Sequence, residues 1–581
     1  MADWNAFDRY VRDALPGWSC PGAALAVVRG DEVVYRAAHG LRDVARGLPL
    51  TPDTRFAMAS VTKSVTAMSL AILVDEGKLG WDQCVREVVP ELVLYDPYAT
   101  ANLTPRDMLS HRSGLPRHDL AAWRLDLPRA EFVKRLRHLR PSASFRERFQ
   151  YNNLMYCAAA HVVDRLAGQR WEDFVRERIF GPLGMDASNF DPDPPRSGLD
   201  NALGYRVERD DEGRATGLRP MPFGAHTELS PGAAGALFSN LDDMVRWVGV
   251  QANGGRWGDV RLVTPGTCAQ MHQPVTVQPS GGAWSELLGH TVFTYALGWS
   301  VEPYRGHTLV QHGGNVEGHS LMVGFVPRER VGVVVLTNGA GMPLRDALLY
   351  EGLDRALDLP PRDWSARFHG VFDEAFRGMA RGKTTATRER AVDAPPSRPL
   401  EAFVGTYGAD GYPDVAVRLE DGALQARLVG SLDWSPLRHL HYDVFEWELE
   451  DFDQRVAVRF LTNEQGAVDT LAWPVEPEVA DAEFRRRPPE LDDALLRELA
   501  GDWDTPIDGL SFDVRVADGR VSVAQAGQAS DEAKPYVATD TTIGLRTKRT
   551  RFDFVREEGR IVRLEVKSPG MQLTATRRRA R

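Results

Sequence analysis

Ser60 and Lys63 stand one helical turn apart in the segment 56–63, which reads FAMASVTK. The segment opens a helical run of apolar residues, so both side chains are expected on one face near a helix N-terminus. A serine hydroxyl becomes a good nucleophile when a neighbouring base takes its proton, and a neutral lysine amine can be that base. The spacing alone is weak evidence, because Ser60 would equally serve as a helix cap and Lys63 as a solvated first-turn residue.

Tyr151 is a second candidate for proton transfer. It lies in the segment 149–153, FQYNN, which follows a polar stretch and precedes a helical pattern, so we expect it in a loop. From there its phenol can pass a proton to a leaving group, and the amide of Asn153 can hold Lys63 and a substrate carbonyl. The alternative is a turn residue that packs its ring.

A third candidate segment is 310–315, VQHGGN, just before a predicted strand. It contains His312, Gly313, Gly314 and Asn315. Paired glycines let a substrate backbone approach a strand edge, and a backbone N–H there can complete an oxyanion hole with the N–H of Ser60. Paired glycines also form ordinary turns.

Together these segments resemble, in order and spacing, the active-site set of the penicillin-binding-protein and serine β-lactamase superfamily, in particular its class C and D-aminopeptidase branch. The resemblance covers roughly residues 5–355. Four further segments add to it: 109–116 (LSHRSGLP), 230–235 (SPGAAG), 239–244 (SNLDDM) and 295–299 (YALGW).

The resemblance implies that Ser60 forms an acyl-enzyme, that Lys63 and Tyr151 share the general-base and general-acid work, and that Asn153 orients them. The N–H groups of Ser60 and Asn315 would form the oxyanion hole. It also implies an α+β fold with an antiparallel sheet flanked by helices. No metal or other cofactor is expected, since the sequence has no His-Glu-x-x-His motif and no Cys/His cluster.

One departure from the family pattern bears on the substrate. Many relatives have Lys-Thr-Gly or His-Thr-Gly where this chain has His312, Gly313 and Gly314, so a hydroxyl and a fixed positive charge are missing. Histidine is mostly neutral near pH 7, so a β-lactam or a C-terminal carboxylate should be bound less well there. We therefore expect amides, peptides with a free amine, or esters as substrates.

The elements that must position these residues follow from hydrophobic patterning. Two apolar runs around a turn at Gly30 predict a hairpin over 23–38, and a second pair over 321–336 is apolar enough to be central in the same sheet. Apolar residues at three-to-four spacing predict helices over Ser64 to Asp75, Leu154 to Leu166 and Trp171 to Ile179.

Beyond residue 400 the pattern changes to period-two alternation, and residues 400–487 repeat as 496–579. Tyr407 aligns with Trp503, a Gly466 turn aligns with a Gly559 turn, and an arginine cluster ends each unit. Two small antiparallel β-barrels explain this pattern best, because closure removes exposed sheet edges. The barrels resemble the lipocalin-like C-terminal domains of D-aminopeptidases, where a segment from them shapes the substrate pocket. Packing, oligomerisation and a lid all stay open as their role.

The predicted domains are a catalytic domain over 1–365, a helix and linker over 366–399, and barrels over 400–488 and 489–581. The net charge of −11, from 70 basic and 81 acidic residues, argues against a nucleic-acid partner. The arginine clusters at 485–487 and 577–581 are interpreted as solvated tails.

No signal peptide or membrane-spanning run is visible, and the four scattered cysteines suit a reduced compartment, so a cytoplasmic location without a membrane partner is expected. The expected partner is a small-molecule or peptide substrate, and a homo-oligomer is left open.

The sequence disfavours three rival functions. The segment 318–322, GHSLM, begins like a nucleophile elbow, but Met322 occupies the last glycine position and the segment leads into a strand. A non-catalytic scaffold relative is disfavoured by intact Ser60, Lys63 and Tyr151. An esterase or β-lactamase of the same fold ranks behind the preferred reading, a serine hydrolase that acts as a peptidase or amidase of D-aminopeptidase type.

Overall fold

The structure is a computed structural model of the 581-residue chain. It describes all residues except 1–2, 123–126, 191–199, 211, 213, 222–231, 290–291, 341–342, 373–393, 432, 450–453, 489–490, 518–519, 539–541, 548–549, 558–559, 569–570 and 579–581. Ser230, the Gly559 turn and most of the predicted linker therefore lie outside the described residues.

The chain divides into two compact units. The first comprises Met1–Glu389 together with two short later segments, Asp410–Tyr412 and Val475–Ala480. The second comprises Arg390–Ala409, Pro413–Pro474 and Asp481–Arg581. The four domain ranges stay a prediction.

The first unit is built on an antiparallel sheet. Its strands, numbered in chain order, are β1 Gly22–Arg29, β2 Glu32–Asp43, β3 Leu48–Pro49, β4 Phe56–Ala57, β5 Gly204–Arg209, β6 Ala215–Met221, β7 Phe238–Ser239, β8 Arg256–Trp257, β9 Val260–Arg261, β10 Thr276–Gln278, β11 Phe293–Tyr295, β12 Ser300–Tyr304, β13 His307–Val316, β14 His319–Val326 and β15 Val331–Thr337. Within the described residues nine of them form one sheet, in the order β10-β11-β12-β13-β14-β15-β1-β2-β3.

The predicted strand pairs are confirmed. β1 pairs with β2, and β14 pairs with β15 with Val323 opposite Val334. β15 also pairs with β1, with Val335 opposite Leu25, so both hairpins belong to the same sheet. The central strands read as continuous apolar runs because every residue of β14 and β15 is buried.

Helices pack on this sheet. They are α1 Trp4–Gly17, α2 Thr62–Asp75, α3 Pro97–Asn102, α4 Pro105–Leu109, α5 Arg129–Arg135, α6 Leu154–Ala167, α7 Trp171–Val175, α8 Gly181–Leu183, α9 Gly232–Gly235, α10 Leu241–Ala252, α11 Pro265–Met271, α12 Gly282–Leu288, α13 Leu344–Ala356 and α14 over 364–372. One-turn 3-10 helices cover Ala59–Val61, Val85–Glu87, Asp119–Ala122 and Leu136–His138. The predicted third helix instead ends at Val175 and continues as a π-helical turn, Arg176–Phe180.

α2 is buried from Thr62 through Leu73 although it carries several hydroxyls. Each hydroxyl needs a partner in such a place. Ser64 accepts a hydrogen bond from the Trp247 indole at 3.0 Å, and Ser69 accepts one from the Trp171 indole at 3.2 Å. Thr66 donates to the carbonyl of Ala233 at 2.6 Å. These contacts fix the rotation of α2 about its axis.

The second unit contains the two predicted barrels. In the described residues one closed barrel consists of β16 Gly405–Gly408, β17 Val415–Glu420, β18 Ala423–Leu428, β19 Ser435–His441, β20 Val444–Leu449, β21 Gln454–Thr462, β22 Val468–Trp473 and β23 Ala482–Arg486. The other consists of β24 Gly501–Asp504, β25 Ser511–Ala517, β26 Arg520–Gln525, β27 Asp531–Ala538, β28 Thr542–Arg546, β29 Arg551–Glu557, β30 Arg560–Ser568 and β31 Met571–Arg577, preceded by helix α15 Asp493–Leu499. The predicted fold class is confirmed.

The arginine clusters are not tails, because Arg485 and Arg486 belong to β23 and Arg577 to β31, but Arg485, Arg487, Arg577 and Arg578 are solvent-exposed, as predicted. Arg486 pairs with Tyr407 where the first barrel closes, and its guanidinium lies 5.8 Å from the buried Tyr407 ring centre. Arg577 pairs with Trp503 in the second barrel, 5.1 Å from that ring. Closure brings the last strand beside the first, so each guanidinium covers an aromatic ring.

No helix among the described residues is long and apolar enough to cross a lipid bilayer.

Four imidazoles of the first unit are held neutral: those of His111, His312 and His319 are buried, and that of His272 is partly buried. Burial lowers the pKa of His272 and of His312 to about 3 and that of His319 to about 4, and it lowers the pKa of His111 well below its usual range. Between these values and the pKa of about 6.5 in an unfolded chain, the unfolded state binds protons that the folded state does not. Stability is therefore lost as the pH falls below about 6.5.

We expect the free energy of unfolding, measured by urea denaturation, to fall between about pH 7.5 and about pH 5, by about 2 kcal/mol for each such histidine. In His272→Gln the free energy of unfolding should fall by about 2 kcal/mol less than in wild type over the same pH range, because one titrating group has been removed. The exposed His138 supplies the control, and His138→Gln should leave the fall unchanged. An equal fall in wild type and His272→Gln would contradict the assignment.

Candidate active site

Ser60 lies in the 3-10 turn Ala59–Val61, directly before α2. The preceding Ala59 has φ +46°, a left-handed conformation that strains a residue with a Cβ. The hydroxyl of Thr62 holds this turn, because it donates to the Ala59 carbonyl at 2.6 Å and accepts from the N–H of Leu237 at 3.1 Å. The strained turn and the buried helix together fix the direction of the Ser60 side chain.

Lys63 is fully buried, and its Nζ lies 3.0 Å from Ser60 Oγ. The same nitrogen donates to the carbonyl of Ala234 at 2.9 Å. It also lies 4.8 Å from the ring centre of Tyr151 and 5.4 Å from that of Tyr156. A buried amine needs such partners, and the arrangement leaves it aimed at the serine hydroxyl.

Tyr151 lies in a loop before α6, as predicted, with its ring 4.4 Å from the ring of His111 and 5.5 Å from the guanidinium of Arg117. Its hydroxyl has no hydrogen-bond partner in the part of the chain that the structure describes. The next residue, Asn152, donates its backbone N–H to Nδ1 of His111 at 3.0 Å. His111 must be neutral to accept this bond, in agreement with its lowered pKa.

The prediction for Asn153 is wrong in one respect. Its amide donates to Asp119 at 2.8 Å, and no hydrogen bond joins it to Lys63 among the described residues. The Asp119 carboxylate orients the Asn153 amide, and the Lys63 amine already donates to two oxygens, the Ser60 hydroxyl and the Ala234 carbonyl.

His312 is a neutral, fully paired residue. Its Nδ1 lies 2.7 Å from the Gly313 carbonyl, which can only accept, so Nδ1 carries the proton. Its Nε2 therefore accepts from the Tyr295 hydroxyl at 2.8 Å. Burial is the main reason for the lowered pKa of His312, and the charge of Lys63 adds to it. The imidazole thus supplies no positive charge to a substrate.

Gly313 and Gly314 lie within β13, at a place where one edge of that strand is open. The pairing of β12 with β13 ends at Ser300 opposite Gln311, whereas β14 pairs with β13 through Val316. Gly314 faces the turn that carries Ser60, since a Cβ at this position would lie 2.5 Å from the Met58 carbonyl oxygen and 3.3 Å from the Ser60 nitrogen. The absent side chain is what lets β13 pass so close to Ser60.

A cavity of about 640 Å³ opens at this strand edge. Ser60, Tyr151, His312 and Asn315 line it. The carboxamide oxygen of Asn315 accepts a hydrogen bond from Ser320 at 2.7 Å, which holds that side chain in place. The candidate nucleophile, the tyrosine and the strand edge therefore border one common space.

Arg345 is a cavity residue that the sequence analysis missed. Its Nη1 donates to the Gly314 carbonyl at 2.7 Å, and its Nε lies 3.3 Å from the Asp346 carboxylate. Its Nη2 lies 3.0 Å from the place where a Cβ on Gly313 would stand. A guanidinium thus occupies the space beside the side-chain-free Gly313 and provides the fixed positive charge that the segment 312–314 lacks.

Arg117 also lines the cavity and was missed, although it directly follows the segment 109–116. Its Nε donates to Asp119 at 2.7 Å, so its charge is partly compensated. For Arg345 no local signal exists, because it reaches the site only through packing of α13 on the sheet.

Among the described residues no group of three or more His, Cys, Asp or Glu side chains is arranged to hold a metal ion.

Comparison with known proteins agrees with this geometry. The Beta-lactamase family profile matches residues 7–357, which is more than half of the chain. The chain belongs to the beta-lactamase family. A second family profile, for a domain of unknown function named DUF3471, matches residues 389–488 of the same chain. The predicted superfamily is therefore confirmed.

Similar proteins include an unguisins hydrolase of Aspergillus campestris, 29% identical over 71% of this chain and 77% of the relative. Penicillin-binding protein 4 of Amycolatopsis lactamdurans is 28% identical over 67% of this chain and 94% of the relative. Among solved structures, the octameric penicillin-binding protein homologue from Pyrococcus abyssi covers 98% of this chain and 100% of its own, with a TM-score of 0.54 and 18% identity. That likeness supports the fold.

Gly314→Ala should reduce the rate at which Ser60 reacts with a fluorophosphonate by up to about a hundredfold, because the added Cβ pushes the turn that carries Ser60 out of place. Gly266→Ala is the matched control, since a Cβ there meets nothing within 4 Å. The rate is measured by quenching samples at successive times and determining the labelled fraction by intact-protein mass spectrometry. A Gly314→Ala protein that reacts as fast as Gly266→Ala would disprove the close approach.

Proposed function

We propose that this chain is a serine hydrolase that works through an acyl-enzyme on Ser60. The observation that carries the proposal is the 3.0 Å contact between Lys63 Nζ and Ser60 Oγ beside a cavity that Ser60 and Tyr151 both line. Membership of the beta-lactamase family and the likeness to a protein named as a hydrolase support it.

In the proposed reaction, the Lys63 amine takes the Ser60 proton while Oγ attacks the substrate carbonyl carbon. The oxygen of that carbonyl becomes negative beside the backbone N–H of Ser60, and the N–H of Asn315 is the proposed second donor. Tyr151 then passes a proton to the leaving nitrogen as the carbon–nitrogen bond breaks, and Lys63 gives Tyr151 the proton that it took from Ser60, so both groups are restored. Water attacks the Ser60 ester, its proton returns to the serine oxygen, and the acid product leaves.

The proposed substrate is a peptide or amide, as in the D-aminopeptidase branch that the sequence resembles. The two closed barrels support this branch. The cavity offers fixed cations at Arg117 and Arg345 and a neutral His312, so its charge recognition differs from that of an enzyme with a lysine on the strand. Simple esters and β-lactams rank lower because of that resemblance alone, since Arg345 can supply a substrate carboxylate with the positive charge that segment 312–314 lacks.

The test is covalent labelling with a fluorophosphonate followed by intact mass spectrometry. Wild type should gain one phosphonyl adduct, and Ser60→Ala should gain none while keeping its folded spectrum. Ser285→Ala is the matched control, because Ser285 lines the same cavity but its hydroxyl accepts from the N–H of Gly281. Wild type without an adduct would instead favour a non-catalytic scaffold.

Turnover assays then decide the substrate class. D- and L-aminoacyl anilides, short-chain aryl esters and a chromogenic cephalosporin are compared at equal concentration, each with Ser60→Ala as the blank. The proposal expects the anilides to have the highest kcat/KM. A preference for the cephalosporin would contradict it.

A further inference from the structure

His118 is held in a strained conformation by three hydrogen bonds. It is 1% exposed and has φ +46°, a left-handed conformation that a residue other than glycine keeps only where its surroundings enforce it. Its backbone N–H donates to Glu476 at 2.9 Å. Its Nε2 lies 2.8 Å from the Arg140 carbonyl, and its Nδ1 lies 2.7 Å from the hydroxyl of Tyr412.

One neutral form of His118 satisfies all these contacts. The Arg140 carbonyl can only accept, so Nε2 carries the proton and Nδ1 accepts from the Tyr412 hydroxyl. Burial lowers the pKa of His118 and raises the pKa of Tyr412, which keeps both groups neutral. Tyr412 and Glu476 are themselves 8% and 7% exposed, and both belong to the first compact unit through the segments Asp410–Tyr412 and Val475–Ala480.

The segment around His118 contacts the loop that carries Tyr151. The Pro116 carbonyl accepts from the Asn152 amide at 2.5 Å, and the Asp119 carboxylate accepts from the Asn153 amide at 2.8 Å. The guanidinium of Arg117 lies 5.5 Å from the Tyr151 ring centre. The segment 116–119 therefore touches Tyr151 and both residues that follow it.

The segment Val475–Ala480 also reaches the other side of Tyr151. Glu478 accepts from the amide of Gln150, the residue before Tyr151, at 3.1 Å. It accepts from Ser142 and from Arg148 as well, each at 2.8 Å. This second contact is half-exposed, with 51% of the Glu478 side chain accessible, so we expect it to be the weaker of the two.

We infer that Tyr412 and Glu476 are positioning residues for Tyr151, which they fix through His118 and the segment 116–119. The expected effect on turnover rests on the proposed function. The positioning of Tyr151 does not depend on that function and can be tested without it. A proton-transferring phenol loses efficiency when it is displaced by as little as 1 Å. Residues far along the chain thus complete the active site without touching the substrate.

The test compares Glu476→Ala, Glu476→Gln and Tyr412→Phe, with Glu483→Ala as the control. Glu483 is a neighbouring glutamate in an exposed ion pair with Arg485 at 2.6 Å. Glu476→Ala should lower kcat by about tenfold to a hundredfold with KM nearly unchanged. Glu476→Gln keeps a carbonyl oxygen for the His118 N–H and should recover most of kcat. The kcat of Tyr412→Phe should lie between those of the two Glu476 variants.

Hydrogen exchange followed by mass spectrometry gives a readout that needs no turnover. Exchange in 114–119 and 149–153 should rise in Glu476→Ala and stay at the wild-type level in Glu483→Ala. Unchanged exchange there would overturn the inference, even if the protein proves to have no hydrolase activity. The inference would also be overturned if Glu476→Ala and Glu476→Gln lost kcat equally and both had a melting temperature lower than that of wild type. That pattern would indicate general destabilisation.

Discussion

The contact between the Lys63 amine and the Ser60 hydroxyl is the interaction on which the site depends, and it requires an amine fully removed from water. An amine in such a place is stable only with oxygen partners and aromatic faces around it. The Ala234 carbonyl and two tyrosine rings provide them. The buried hydroxyls of α2 then fix the helix, because any rotation would leave them unpaired.

Burial keeps the histidines at the site uncharged, so arginines carry the positive charge of the cavity. His312, which lines the cavity, and His111, which packs against Tyr151, are both neutral; one pairs with Tyr295 and the other with the backbone of Asn152. Fixed positive charge comes from Arg345 and Arg117, each paired with a neighbouring aspartate. The glycine pair on β13 makes this arrangement possible, since Gly314 leaves room for the turn that carries Ser60 and Gly313 leaves room for a guanidinium.

Much of the fold could be predicted from the sequence because its signals are local. Continuous apolar runs predicted the central strands, three-to-four spacing predicted α2 and α6, and a repeat predicted the barrels. The contacts that the sequence did not reveal are all long-range. Arg345 reaches Gly313, and Arg486 reaches Tyr407, through tertiary packing that has no period along the chain. The partner of Asn153 was missed for the same reason, since Asp119 lies in a different segment.

The central claim is that Lys63 makes Ser60 a nucleophile, and the rate of fluorophosphonate labelling in Lys63→Ala tests it most directly. We expect the second-order rate constant to fall by about 10² to 10⁴ relative to wild type. Lys78→Ala is the control and should label at the wild-type rate, because Lys78 is a half-exposed lysine paired with Glu76. Wild-type labelling of a folded Lys63→Ala protein would contradict the account.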